Sequence, residues 1–290
     1  MKYGTGVALV IAAGVLWSSQ GLIFRQIDTA GTWATLFWRS VGMLPALLLW
    51  QITQHGRAAL GGFAAVGLAG VLGGLGLVGA FGGAIYAIQS TTIANAVFLF
   101  TASPFLAAIL GLLLLGERVR PETWAAMVVG VAGIFVMVRE GLETGALAGN
   151  IAALLSALGF ATFTVMLRWR KVADTMPIVI LGGVFSLVTG AVVAVAVGQP
   201  LAVPVSDALW AMAMGAGTLT GGMILYGMGS KVIPAGELAL LSNIEVVLSP
   251  IFVWAFLGET ASTNTFVGGA VLLAAVTVNG IIGARRAVLA

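Results

Sequence analysis

Apolar segments about as long as a bilayer is thick recur along the whole of this sequence. A helix needs roughly 20 mostly apolar residues to cross the hydrocarbon core of a membrane. The chain carries ten such segments, at residues 6–25, 32–50, 62–88, 93–115, 122–139, 146–167, 177–197, 207–230, 236–257 and 264–284. The loops between them are short and leave no room for a globular domain. The sequence therefore predicts an all-α membrane protein with ten transmembrane helices.

Composition excludes several classes of protein. Of the 290 residues, 60% are hydrophobic and 8% are charged, whereas a soluble domain has roughly 25% charged residues. The chain contains no cysteine, and its one histidine, His55, falls in a predicted loop. These facts argue against thiolate or histidine metal sites and against Cys or Ser–His catalysis. The net charge of +3 is too dispersed for a nucleic-acid surface, and no cofactor is expected.

The distribution of lysine and arginine predicts the orientation of the helices. With a cytoplasmic N-terminus, only Arg25 and Arg139 lie outside, and Arg39 lies within the second segment. The predicted inner side then holds Lys2, Arg57, Arg118, Arg120, Arg168, Arg170, Lys171, Lys231, Arg285 and Arg286. Because cytoplasmic loops are enriched in basic residues, this count favours an even number of helices with both termini cytoplasmic.

The two halves of the chain are weakly similar to each other. At an offset of 142 residues, Leu115-Gly116-Glu117 aligns with Leu257-Gly258-Glu259 at equivalent helix ends. We therefore predict two five-helix repeats, residues 1–141 and 142–290. Because five is an odd number, the second repeat enters the membrane inverted. Inverted repeats are typical of transporters, whose substrate site lies near the midplane between them.

Three motifs of this sequence resemble those of EamA-type transporters of the drug/metabolite transporter superfamily. They are Leu16-Trp17-Ser18, Pro104 followed by Gly116-Glu117, and Gly258-Glu259. The resemblance covers essentially the whole chain, which is most similar to YddG-type exporters of aromatic and other amino acids. It implies ten helices around a central cavity in the bacterial cytoplasmic (inner) membrane. The cavity would open alternately to the two sides and export amino acids or related metabolites.

Two positions depart from that family pattern. Val246 stands where the second half would usually carry its proline, which lies at Pro250 instead. Gly159 occupies the position equivalent to Trp17. The two half-sites are therefore expected to differ.

Glu245 is the most informative candidate site residue, because it lies well inside the ninth segment. An acid at the centre of a membrane helix costs about 2.5–3.5 kcal/mol, so it should face a cavity or a partner. It could bind a substrate ammonium group or couple protons to transport. It could equally form a buried pair with Arg39, or stay protonated and bond a neighbouring helix. Arg39 could bind a carboxylate, pair internally or reach outward to water.

Small polar residues lie at equivalent depths beside two prolines. Thr101 and Ser103 come shortly before Pro104. At the 142-residue offset they align with Asn243 and Glu245, and Ser242 directly precedes Asn243. A proline leaves one backbone carbonyl without its usual partner. At membrane depth such a carbonyl needs protein groups or a water-filled cavity. We expect these residues to line the cavity. A packing kink with back-bonded hydroxyls is the alternative.

Aromatic residues could form one wall of that cavity. Trp17 lies mid-span with Gln20 nearby, and Tyr86 and Tyr226 lie near the ends of their segments. A buried indole N–H needs a hydrogen-bond acceptor, so Trp17 and Gln20 would suit an amphipathic small molecule. Packing within the bundle is the alternative role for the aromatic rings.

Glu117 and Glu259 each follow the end of one predicted helix and precede the next. A carboxylate there complements the exposed N–H groups of a helix start. We therefore expect a structural role, with coupling as the alternative.

These observations favour a secondary transporter for a small-molecule substrate, an amino acid, working within the lipid bilayer. The sequence shows no nucleotide-binding motif, so ATP would not drive transport through this chain alone. Protons as a coupling ion and the oligomeric state are left open. A channel for small polar metabolites is the alternative function, and an intramembrane enzyme finds no support in the residues available.

Overall fold

The computed structural model describes residues 2–56, 61–170, 174–233, 241 and 243–289. Within these residues all regular secondary structure is helical and no strand is present. The first half contains α1 (Tyr3–Ser18), α2 (Gln20–Phe24), α3 (Thr32–His55), α4 (Gly61–Ser90), α5 (Ile93–Phe100), α6 (Ser103–Leu115) and α7 (Pro121–Thr144). The second half contains α8 (Leu147–Trp169), α9 (Met176–Ala196), α10 (Val205–Ala213), a π-helical segment (Met214–Leu219), α11 (Thr220–Gly229), α12 (Ile244–Leu257) and α13 (Thr263–Leu289).

Eight helical stretches in the described residues are long and apolar enough to cross a membrane. They are Tyr3–Phe24, Val66–Ser90, Ile93–Leu115, Pro121–Arg139, Leu147–Trp169, Met176–Ala196, Val205–Gly229 and Thr263–Gly283. Helix α12 is apolar but shorter, and α3, which carries Arg39, is not among the eight. The predicted count of ten spanning helices therefore stays a prediction for these two segments.

Large apolar side chains cover the outside of the bundle. Val128 of α7 and Phe256 of α12 are each 71% exposed, and Val195 of α9 is equally so. In water such a surface would be unfavourable, whereas lipid tails are themselves apolar. Together with the apolar helices, this surface identifies the chain as an integral membrane protein.

The most extensive helix packing joins the two halves of the chain. Helix α4 packs against α8, α3 against α9, α1 against α11 and α7 against α13. The α4–α8 contact is close because Gly159 has no side chain: a Cβ atom there would lie 2.5 Å from the Gly76 carbonyl. The Ser156 hydroxyl of α8 also donates to the Ala80 carbonyl of α4 at 2.6 Å. Small residues allow such close backbone approach within membranes.

Regular α-helix is interrupted in several of the described helical stretches, and three of these interruptions lie near predicted site residues. Helix α1 ends at Ser18 and the chain resumes as α2. Helix α5 ends at Phe100, and Pro104 stands in the first turn of α6, where its missing N–H costs nothing. In the third, the π-helical segment, the hydroxyls of Thr218 and Thr220 donate to the carbonyls of Met214 and Gly215, each at 2.8 Å. Such irregular backbone marks positions where the bundle departs from simple packing.

Candidate functional site

The structure brings two of the predicted aromatic residues together. The Trp17 and Tyr226 ring centroids are 5.5 Å apart, with the ring planes tilted by 42°. The Trp17 indole N–H points at the Leu219 carbonyl, at 3.5 Å, where the π-helical segment ends. Gly222 lies directly against the indole ring. The pair therefore forms an aromatic surface between α1 and α11.

The backbone of Glu245 lies against α1 at Gly14 and Ser18, on the face of that helix adjacent to Trp17. A Cβ atom at Gly14 would lie 3.8 Å from the Glu245 backbone nitrogen. The Ser18 hydroxyl donates to the Gly14 carbonyl at 2.6 Å and lies 3.5 Å from the Glu245 carbonyl oxygen. One face of α1 therefore carries Trp17, which contacts Tyr226 and Leu219, and the adjacent face contacts the backbone of Glu245. Among the described residues, the Glu245 carboxyl has no hydrogen bond or ion pair.

The other predicted site residues occupy varied positions. Thr101 and Ser103 are buried where α5 gives way to α6, and the Thr101 hydroxyl donates to the Phe98 carbonyl at 2.5 Å. Asn243 donates to the Thr277 hydroxyl of α13 at 3.2 Å. Gln20 is half-buried at the start of α2, Tyr86 is 43% exposed on α4, and Ser242 lies outside the described residues. A common cavity for the whole set stays a prediction.

Arg39 is buried in the interior, with 5% of its surface exposed. Its guanidinium carbon lies 4.5 Å from the centroid of the Phe81 ring on α4, and its Nη2 atom has no hydrogen-bond partner. The described ion pairs do not include an Arg39–Glu245 pair. Of the alternatives open from the sequence, a reach outward to water and a pair with Glu245 are therefore both wrong.

The Phe81 contact does not compensate the burial of the Arg39 charge. A cation–π contact contributes about 2 kcal/mol when desolvated, whereas burying an ion without a partner costs several kcal/mol. The guanidinium stays protonated under all physiological conditions. The buried charge of Arg39 is therefore not balanced by any side chain of the described residues.

The repeated Leu-Gly-Glu motif has the same local structure in both halves. Gly116 and Gly258 have φ angles of 68° and 67°, in the left-handed region, and each ends its helix. The Glu117 N–H donates to the Gly111 carbonyl at 3.2 Å, and the Glu259 N–H donates to the Val253 carbonyl at the same distance. This is the Schellman pattern, in which glycine avoids the steric cost of positive φ. In both halves the glutamate directly follows the capping glycine, and the Glu117 carboxylate lies against Gly111 of its own helix.

Each of these glutamates forms an ion pair with an arginine of the other half. Arg25, after α2, donates to Glu259 at 2.9 Å, and Arg168 in the last turn of α8 donates to Glu117 at 2.8 Å. Glu259 corresponds to Glu117 at the 142-residue offset, and Arg168 lies one residue from the position equivalent to Arg25. The two pairs are therefore repeat-related counterparts.

The environments of the two pairs differ. Arg25 also donates to the carbonyls of Ile88 at 3.1 Å and Thr91 at 3.5 Å, and Glu259 accepts the Ile93 N–H at 2.8 Å. The Ile93 N–H that Glu259 accepts lies at the start of α5, in the first half. The sequence predicted that Glu259 would cap the helix that follows it in the chain, α13, and this was wrong. Side-chain exposure is 31% and 18% for this pair, against 43% and 37% for Arg168 and Glu117.

The two ion pairs lie at opposite ends of the bundle. Ile93 contacts Glu259, and the 23-residue stretch Ile93–Leu115 then leads to Glu117. At 1.5 Å per residue this stretch is about 35 Å long, which is enough to cross a membrane. A cavity of about 230 Å³ adjoins Glu259, and one of about 180 Å³ adjoins Glu117. Both ends therefore carry a small cavity beside an ion pair between the halves.

Sequence reasoning missed Arg25 and Arg168 as partners of the motif glutamates. The signal was present, because the arginines stand at equivalent helix ends just as the glutamates do. Phe81 as the neighbour of Arg39 had no such signal. No group of three or more His, Cys, Asp or Glu side chains that could hold a metal ion occurs in the part of the chain that the structure describes.

Comparisons with known proteins agree with this architecture. The family model of the EamA-like transporter family matches residues 4–139 and again residues 147–281. An uncharacterized transporter of Archaeoglobus fulgidus is 26% identical over 289 residues, covering 96% of each chain. The pseudopaline exporter CntI of Pseudomonas aeruginosa is 26% identical over 278 residues, covering 93% of this chain and 94% of its own. A solved crystal structure, at 22% identity, superposes with a TM-score of 0.61 over 98% of this chain and 100% of the other.

Proposed function

Because this chain belongs to the EamA-like transporter family and has that family's two-repeat architecture, we propose that it is a secondary transporter that exports amino acids or related small metabolites by alternating access. Export is supported by the similarity to a pseudopaline exporter. Amino acids are supported by the resemblance of the first helix to YddG-type exporters. Trp17 and Tyr226 offer a surface for an apolar side chain, and Glu245 offers a carboxyl group for the substrate ammonium.

The two repeat-related ion pairs are the observation that carries this proposal. A transporter of this kind closes one end of its central site while the other opens, through rocking of one repeat against the other. Arg25–Glu259 and Arg168–Glu117 each connect the two halves, at opposite ends of the bundle. Separation of one pair would open that end, while the other pair would hold the remaining end closed.

We also propose the arrangement in the membrane. Ten helices form two inverted repeats, with α3 and the segment containing α12 completing the spanning set. The basic loops place both termini in the cytoplasm of a bacterial cell, with the protein in the cytoplasmic membrane. The Arg168–Glu117 pair then faces the cytoplasm, and the Arg25–Glu259 pair faces outward.

The test uses the absence of cysteine from the chain. Cysteines replace both members of either pair, and a short, reducible reagent with two thiol-reactive ends connects them. The side chains of arginine and glutamate are long, so a direct disulfide between these positions is not assumed. Export of a panel of amino acids is measured in proteoliposomes, with and without unlabelled substrate on the opposite side. Variants with one cysteine are the controls.

Alternating access predicts that cross-linking either end stops export and that reduction restores it. A carrier also exchanges substrate, so substrate on the opposite side should accelerate flux. Continued export with one end cross-linked would contradict the mechanism. Flux that opposite-side substrate does not stimulate would identify a channel, and failure of every amino acid in the panel would refute the substrate class.

A further inference from the structure

Arg39 is a buried cation for which the described residues provide no anionic partner. Its guanidinium packs over the ring of Phe81 on α4, and its Nη2 atom has no hydrogen bond. Two other arginines of the same chain show what a fully partnered arginine looks like. Arg25 is bonded to a carboxylate and two carbonyls, and Arg168 is bonded to a carboxylate and one carbonyl. Arg39 is more buried than either of them, and its Nη2 atom is a buried donor without a hydrogen bond.

The position of Arg39 relates it to the aromatic pair. Its carbonyl lies against Gly215, near the start of the π-helical segment, where a Cβ atom would overlap it. Trp17 contacts the same segment at Leu219, four residues further on. Four residues of helix rise about 6 Å. The Arg39 backbone carbonyl and the Trp17 indole therefore contact neighbouring turns of one irregular segment from two different helices.

We propose that Arg39 is the carboxylate-binding residue of the transport site, so that the substrate class is carboxylates that also carry an ammonium group. This inference rests on the proposed transport function and adds to it the residue that recognises the substrate carboxylate. A guanidinium binds a carboxylate through two parallel N–H···O bonds, which an ammonium side chain cannot reproduce. Glu245, likewise unpaired among the described residues, supplies the opposite charge for the substrate ammonium.

The substrate would then provide the anionic partner that Arg39 lacks among the described residues. Its carboxylate would neutralise Arg39, its ammonium would lie toward Glu245, and its side chain would contact the Trp17–Tyr226 surface. Removing the carboxylate from the ligand should therefore weaken binding as much as removing the guanidinium from the protein. Doing both should cost little more than doing either, because the same contact is lost.

The experiment compares two ligands that differ at one group. L-Phenylalanine and L-phenylalaninamide share the ring and the ammonium, and only the first has a carboxylate. Binding to the purified full chain and flux in proteoliposomes are measured for the wild type, Arg39→Met, Arg39→Lys and the control Arg170→Met, which changes an exposed arginine. We expect Arg39→Met to weaken phenylalanine binding about 100-fold and to leave binding of the amide unchanged.

Equal losses for both ligands, or no loss for either, would overturn the inference and assign Arg39 to packing. If Arg39→Met does not fold, the test uses Arg39→Lys. An ammonium group cannot form the two parallel hydrogen bonds of a guanidinium, so Arg39→Lys should weaken the binding of phenylalanine more than the binding of the amide. If the wild type transports no amino acid, the proposed substrate class fails, and Arg39 is judged by carboxylate binding alone. Benzoate should then stabilise the wild type against thermal unfolding, and it should stabilise Arg39→Lys less. If benzoate does not stabilise the wild type, the inference is refuted.

Discussion

Replacing Glu259 by glutamine removes the charge of one ion pair while keeping the shape of the side chain. In the structure, Glu259 binds Arg25 at 2.9 Å and the Ile93 N–H at 2.8 Å, and its side chain is 18% exposed. Glutamine can still accept the Ile93 N–H. The charge-assisted bond to Arg25 is weakened, and with it the contact between the two halves at this end.

The repeat-related substitution, Glu117→Gln, is the matched comparison. Glu117 binds Arg168 at 2.8 Å, but the two side chains are 37% and 43% exposed. An exposed ion pair contributes about 0–1 kcal/mol because water and salt screen it. A hydrogen bond to a charged group that is shielded from water contributes about 1.5–3 kcal/mol. Glu259→Gln should therefore have the larger effect on closure.

These energies translate into populations of the open state. Each 1.4 kcal/mol changes an equilibrium tenfold. If the Glu259 end is open in about 1% of molecules, Glu259→Gln should raise that fraction to roughly 10–60%. Glu117→Gln should raise opening at its own end by about fivefold at most.

Labelling of introduced cysteines measures the opening directly. Ala94 lines the cavity at Glu259 and Ala108 lines the cavity at Glu117, so Ala94→Cys and Ala108→Cys report on the two ends. A thiol reagent should modify position 94 at least tenfold faster in Glu259→Gln and position 108 more slowly. Asp28→Asn, which changes an exposed acid, is the control. A larger effect of Glu117→Gln, or faster labelling at both ends together, would refute the reasoning.

Three further predictions concern packing, orientation and the site. Gly159→Ala should destabilise the protein by about 1–3 kcal/mol through overpacking, measured by thermal unfolding in detergent. Gly79→Ala is the control, because the nearest atom to a new Cβ there is 3.8 Å away. Its unfolding temperature should match that of the wild type. An impermeant thiol reagent applied outside cells should label Ser206→Cys but not Arg170→Cys, both exposed positions, and the reverse would invert the topology. Glu245→Gln should weaken amino-acid binding about tenfold or more at every pH; loss of gradient-driven accumulation alone would indicate proton coupling instead, and unchanged flux per folded molecule would remove Glu245 from the site.

The sequence was sufficient to predict the helical membrane architecture, because a long apolar segment has few other stable outcomes. It also located the Leu-Gly-Glu motif at two equivalent helix ends. The near-equivalent positions of Arg25 and Arg168 marked them as candidates, but their pairing with Glu259 and Glu117 depends on how α2 and α8 pack against the opposite half. The local sequence supports a helix end equally well with or without Arg25 and Arg168.

The site was less predictable for a geometric reason. Successive residues of a helix point about 100° apart, so a small error in rotation changes which side chain faces the interior. Asn243, for example, bonds Thr277 of α13, a partner that the sequence did not indicate, and its place in the cavity stays a prediction. The π-helical segment had no sequence signal either, because its glycines fit an α-helix equally well. Its register depends on the contacts with Arg39 and Trp17.

The ends of the bundle and its interior differ in symmetry, and the difference suits the proposed mechanism. The ion pairs at the two ends are repeat-related, so either end can close with similar geometry. The charges in the interior are not: the position equivalent to Arg39 is Leu181, and the position equivalent to Glu245 is Ser103. One half thus supplies a cation and the other supplies an acid. A site with the same charges in both halves would bind a substrate with one carboxylate and one ammonium equally well in two opposite orientations. An asymmetric site fixes one orientation, so the substrate need not turn over while the repeats exchange which end is open.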